Sequence, residues 1–181
     1  MIPLRDDNPS RTPPIVTVSL IVANILAFFY QLSLGQDGMQ QLVMRLGLIP
    51  AEVTGAAAAV TDVPVPLTFL TSMFLHGDLM HLGGNMLYLW IFGNNVEDET
   101  GHLLFPVFYF ACGLAAAALQ VAVKPDSTIP MIGASGAIAG VLGAYLILYP
   151  HARVLTLVPI VFILRLMYLP ALVVLGLWFL F

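Results

Sequence analysis

The stretch IVTVSLIVANILAFFYQLSL, Ile15 to Leu34, carries no charge, and its length of about 20 residues is what a helix needs to cross the hydrocarbon core of a bilayer. A helix that is apolar all round must be surrounded by protein or by lipid. Composition decides for lipid: only 9% of the 181 residues are charged and 60% are hydrophobic, against roughly 25% charged in an ordinary soluble domain. The net charge of -4 comes from few groups and leaves no basic patch, which removes nucleic acid from the partners to consider. The single cysteine, Cys112, lies in an apolar run and reads as a small packed side chain.

Residues 1–14 contain Arg5, Asp6, Asp7, Arg11 and several prolines. Such a stretch neither continues a helix nor supplies the core of a signal peptide, so it reads as a polar cytoplasmic tail. The connector Gln36 to Pro66 mixes charges with apolar pieces, the pattern of short helices lying at a membrane surface. Four more apolar segments follow, at about Leu79 to Val96, Leu103 to Val123, Ser135 to Tyr149 and Met167 to Phe181. The expected fold is therefore an all-α polytopic bundle with five transmembrane helices, residues 15–181 forming one membrane domain. No capping signal or polar tail follows Phe181, so the sequence is expected to be a piece of a longer chain. With the N-terminus inside, Arg5, Arg11, Arg153 and Arg165 are cytoplasmic while Arg45 and Lys124 are external. The segments starting at Leu79 and Ser135 then run inward from the external side. The compact chain suggests a bacterial inner membrane.

Ser135 to Tyr149 would make a helix only about 22 Å long, too short for a core of roughly 30 Å. Its start must lie below the surface, and the preceding residues must enter the membrane as irregular backbone covered by protein or a water-filled cavity. A serine there, between Gly133 and Gly136, sits beside unpaired N–H groups at the positive end of the helix dipole. These donors suit a developing oxyanion; the plainer alternative is that Ser135 is an N-cap. Gly136, Gly140 and Gly143 form one smooth face, against which another helix can pack closely. In HGDLMHLGGN, His81 and Asn85 are four apart and share a helix face, with His76 just before. Such groups are costly in lipid and should point into a polar interior, as a site, as hydrogen-bonding glue between helices or as a transport path. Metal binding is disfavoured because no third strong ligand stands near His76 and His81. Glu97, in FGNNVEDETGH, reads as part of a solvated turn, or as a group that caps or pairs with a neighbouring loop.

These residues resemble the rhomboid family of intramembrane serine proteases. The resemblance rests on Gly133-x-Ser135-Gly136 opening a glycine-lined helix, on His76-x4-His81-x3-Asn85, and on GNNVEDETG closing the second span. It implies a six-helix core, of which five helices are present, with Ser135 as nucleophile. His81, Asn85 and the Ser135 backbone N–H would stabilise the oxyanion, Gly133 would shape the loop, and Glu97 would hold the second span to neighbouring loops. The family's general base is a histidine on the sixth helix, and the chain ends at Phe181 before such a helix. His151 would lie about 24 Å from Ser135 along the helix and His102 at the opposite end, so neither substitutes. The implied activity is endopeptidase cleavage of transmembrane protein substrates by a Ser-His dyad in the lipid bilayer, with no cofactor and no metal. The alternative is an inactive rhomboid-like protein that binds membrane clients without cutting them.

Overall fold

A computed structural model describes residues 1–59, 63–160 and 163–180. Asp62, in the connector, and Phe181, the end of the last expected span, lie outside them. In chain order the elements are β1 (Ile2–Asp6), α1 (Ile15–Ser33), α2 (Gly35–Leu46), α3 (Pro50–Thr54), α4 (Val65–Thr71), a 3₁₀ turn (Ser72–Phe74), α5 (Leu79–Thr100), α6 (Leu104–Val123), α7 (Ser135–Leu148), β2 (Arg153–Ile160), β3 (Ile163–Pro170) and α8 (Ala171–Leu180).

The chain is mostly helical but not all-α. An antiparallel sheet of order β1-β2-β3 corrects that expectation. Residues 1–14 are not simply a tail: Ile2 pairs with Leu157 and Asp6 with Val154. β2 and β3 form a continuous antiparallel pair from Arg153 opposite Pro170 to Ile160 opposite Ile163. The last expected span is likewise shorter at its start, because Met167 to Pro170 belong to β3 and the helix begins at Ala171. Pro170 lacks an N–H for a helical ladder, which suits it to a strand end.

Among the described residues two helices, Ile15–Ser33 and Leu104–Val123, have the length and apolar character to cross a membrane. α7 has 14 residues, about 21 Å of helix. α8 is also short, and α5 interrupts its apolar face with polar groups.

The inward face of α1 is set by a seven-residue rhythm. Thr17, Leu20, Asn24, Phe28 and Gln31 are its buried positions, and residues seven apart on a helix lie nearly over one another. α7 is held at its small residues by α6. A Cβ on Gly136 would stand 2.7 Å from the Ala116 Cβ, and one on Gly140 would strike Cys112, so only glycine allows this approach. Gly143 has nothing within 4 Å of the same position. The smooth face is thus covered by α6 at two of its three glycines. Below it lies the core, in which Phe92, Phe105, Tyr109, Ile138, Leu142 and Tyr145 are buried.

The end of α5 fastens to the N-terminal segment. Glu97 is fully buried and accepts from the N–H groups of Val16 at 2.9 Å and Thr17 at 2.7 Å, while His102 Nδ1 donates to it at 2.7 Å. A carboxylate facing the first N–H groups of α1 satisfies donors that no residue within that helix can, and complements its dipole. Asp98 accepts from the backbone of Arg11 and Thr12, both at 2.9 Å. Asp6 Oδ2 accepts from Tyr145 Oη at 2.7 Å and Asn95 Nδ2 at 2.9 Å, tying β1 to α5 and α7. This carboxyl is held above the ordinary carboxylate range by burial, against the lowering effect of hydrogen bonds from Tyr145 and Asn8.

Candidate active site

Ser135 opens α7, but not as its cap. Ala134 holds the N-cap position and no side chain caps the helix, so Ser135 is the first helical residue and its N–H is among those left without an intrahelical acceptor. The N-cap alternative is thereby removed. Among the described residues its hydroxyl makes no hydrogen bond.

The backbone leading to it is irregular and covered. Leu48 and Met131 exchange backbone hydrogen bonds of 3.1 and 2.8 Å, and Ala51 N–H donates to the Ser127 carbonyl at 3.0 Å. The connector thus satisfies polar backbone that lipid would leave unpaired. Gly133 N–H donates to the Ser72 carbonyl at 2.9 Å, and Gly133 has φ +114°, a conformation rarely open to a residue with a Cβ. A Cβ there would lie 2.7 Å from His81 Nε2.

α5 supplies the facing side. Asp78 is its N-cap and accepts from His81 N–H at 2.8 Å, fixing the turn that carries His81. His81 and Asn85 project from one face, and together with Ser135 they line a cavity of about 650 Å³. Tyr88 and Trp178, whose ring centroids are 5.8 Å apart, border it deeper down.

His76 is fully buried behind this pair. Its ring lies edge-on to His81, centroids 5.0 Å apart, and Asn85 Nδ2 stands 3.0 Å from His76 Nε2. Burial, with the neighbouring His81, lowers the His76 pKa from 6.5 to about 4. A neutral ring can accept from the Asn85 amide, as a protonated ring cannot. The structure therefore gathers Ser135, Gly133, Gly136, His76, His81 and Asn85 at one end of the bundle. Glu97 lies with the N-terminus of α1 at the other. His102 is bound to Glu97 there, and His151 follows the C-terminal end of α7.

Two residues of this region are not apparent from the motif. Asp78 could be read from its position three before His81, the spacing of an N-cap aspartate. Gln31 of α1 hydrogen-bonds the His76 backbone in both directions, donating to its carbonyl at 3.1 Å and accepting from its N–H at 3.0 Å. The signal for Gln31 was its place in the Thr17, Asn24, Gln31 series of polar residues.

Fold and cavity together define a helical membrane protein with a largely apolar cavity that Ser135, His81 and Asn85 line with polar groups. The chain belongs to the rhomboid family: the family model for the Rhomboid domain matches residues 65–181. It is 34% identical over 96 residues to Rhomboid protein 1, mitochondrial, of Saccharomyces cerevisiae, covering 51% of this chain and 28% of that protein. Rhomboid protease GluP of Bacillus subtilis is 40% identical over 77 residues, 42% of this chain and 15% of the relative. Presenilin-associated rhomboid-like protein, mitochondrial, of Bos taurus is 33% identical over 86 residues, 46% and 23% respectively. The chain thus matches between 15% and 28% of the length of these relatives. The family is embedded in membranes and includes proteases. Its members here are named from mitochondria as well as from a bacterium, so a bacterial inner membrane draws no support from them.

Proposed function

We propose that this chain is an intramembrane serine endopeptidase acting on transmembrane segments of other proteins in the bilayer, with the N-terminus cytoplasmic. The observation that carries this reading is the cavity lined jointly by Ser135, His81 and Asn85. Ser135 Oγ attacks the scissile carbonyl, the C–N bond breaks to release the amine-bearing fragment, and water then hydrolyses the acyl-enzyme to free the carboxyl-bearing fragment and restore the hydroxyl. The negative charge developing on the carbonyl oxygen is met by the Ser135 N–H at the head of α7 and by donors on His81 and Asn85, preorganised away from lipid. The proton leaving Ser135 goes to a histidine base, which the resemblance assigns to the sixth helix, and from there to the departing amine. Gly133 and Gly136 allow the close approach of loop and helix, and His76 supports Asn85. A helical substrate must unwind locally to present its carbonyl, which helix-breaking residues near the cleavage site ease.

The test is turnover of a fluorogenic transmembrane substrate by the full-length protein in proteoliposomes. Ser135→Ala is expected to abolish it, and His81→Ala or Asn85→Ala to lower kcat by about 10² to 10³, the usual effect of losing one oxyanion donor. Undiminished turnover by Ser135→Ala overturns the assignment.

One observation favours the second reading, an inactive protein that binds membrane clients. Among the described residues the imidazoles near Ser135 are His76 and His81, and His76 Nε2 is engaged by Asn85. Client capture by the unaltered protein, with no acylation of Ser135 by a fluorophosphonate, would select that reading.

A further inference from the structure

We infer that Gln31 of α1 is a positioning residue for the oxyanion site, acting through His76 on Asn85; this rests on the peptidase reading above. His76 lies between the 3₁₀ turn and α5, where neither helix supplies partners for its backbone. Water cannot supply them either, because both His76 and Gln31 are fully buried. The Gln31 carboxamide meets both needs at once, accepting from the N–H at 3.0 Å and donating to the carbonyl at 3.1 Å. Two parallel hydrogen bonds fix direction as well as distance.

The consequence reaches the cavity in two steps. With its backbone clamped, the His76 ring is held edge-on to His81, centroids 5.0 Å apart, and its Nε2 stands 3.0 Å from Asn85 Nδ2. That contact commits one amide hydrogen of Asn85 and thereby orients the other. An oxyanion donor must be held to within roughly half an ångström to be useful. Gln31 itself does not line the cavity, so its influence on the reacting atoms passes through His76.

The experiment is a double-mutant cycle on the full-length protein, using the fluorogenic transmembrane substrate in proteoliposomes well below the unfolding midpoint of every variant. Gln31→Met keeps side-chain length and removes both hydrogen bonds. It is expected to lower kcat about ten- to a hundredfold with KM altered less than about threefold, and to cost less than about threefold when Asn85 is already alanine. The same loss in both backgrounds, or an unchanged kcat in the first, overturns the assignment. Gln31→Glu keeps the test open should the methionine variant not fold, since a protonated glutamic acid restores both hydrogen bonds. Its kcat relative to the unaltered protein is expected to recover as pH falls; a kcat that stays low at every pH counts against the role. Ser135→Ala run alongside separates the readings, because its continued turnover would sink the peptidase reading whatever Gln31 does.

Discussion

The placement of Gly133 makes a sharp demand on the chemistry. Replacing it with alanine puts a Cβ 2.7 Å from His81 Nε2 and 2.8 Å from Cε1, roughly 0.8 Å inside the contact optimum of about 3.5 Å. If the ring yields, a hydrogen bond of about 2.9 Å from His81 to the oxyanion becomes about 3.7 Å, which no longer counts as one. The full cost of a lost donor then applies, about 10² to 10³ in kcat. Holding alanine at φ +114° adds strain of about 1–3 kcal/mol. Each kcal/mol lowers the unfolding midpoint by about 2–4 °C in a chain of this size. The assay is kcat for the fluorogenic transmembrane substrate together with thermal unfolding in the same detergent. Gly140→Ala is the comparison: it strikes Cys112 on α6, so it should lower the midpoint while leaving kcat within about threefold. A Gly133→Ala protein that retains kcat within threefold refutes the argument that His81 is held at this distance for catalysis.

Glu97→Gln should lower the unfolding midpoint by several degrees. An amide cannot accept from Val16, Thr17 and His102 as the carboxylate does, and an unpaired buried N–H costs about 1–3 kcal/mol; an unshifted midpoint contradicts this. The raised pKa of Asp6 means that its protonated form is favoured by folding. Its contribution is complete below the ordinary carboxylate pKa and is lost as pH rises through the raised value. Unfolding measured across that window should show the loss in the unaltered protein and a flatter profile in Asp6→Asn; identical profiles would dismiss it.

Four helices were legible because each is a mainly apolar run bounded by polar or turn residues: α1, α5, α6 and α7 begin within a residue of where hydropathy places them. The sheet was not. β1 carries Arg5 and Asp6 and finds its partner some 150 residues away, a separation no local pattern reports. Leu164, Leu166, Met167 and Tyr168 of β3 are all largely exposed, so neither face shows the alternation that marks a half-buried strand. Around the site, Ser135, His81 and Asn85 were readable from spacing and membrane cost. For Glu97 the sequence leaves two readings open, a solvated turn, since three acidic residues in a row ordinarily face water, and a group that caps or pairs with a neighbouring segment. The carboxylate is buried against the head of α1. The Thr17, Asn24, Gln31 series marks Gln31 as facing inward, but its partner is backbone, which leaves no trace in residue identity.

The first helix is bolted to its neighbours at both extremities, by Glu97 at its head and through Gln31 near its tail. It cannot tilt or slide without breaking a polar joint where no solvent can repair it. Its outward side, with Val22, Leu26, Phe29 and Tyr30 all more than 45% exposed, is free to vary with the lipid around it. Drift over generations should therefore run down one flank of this post and stop at the other.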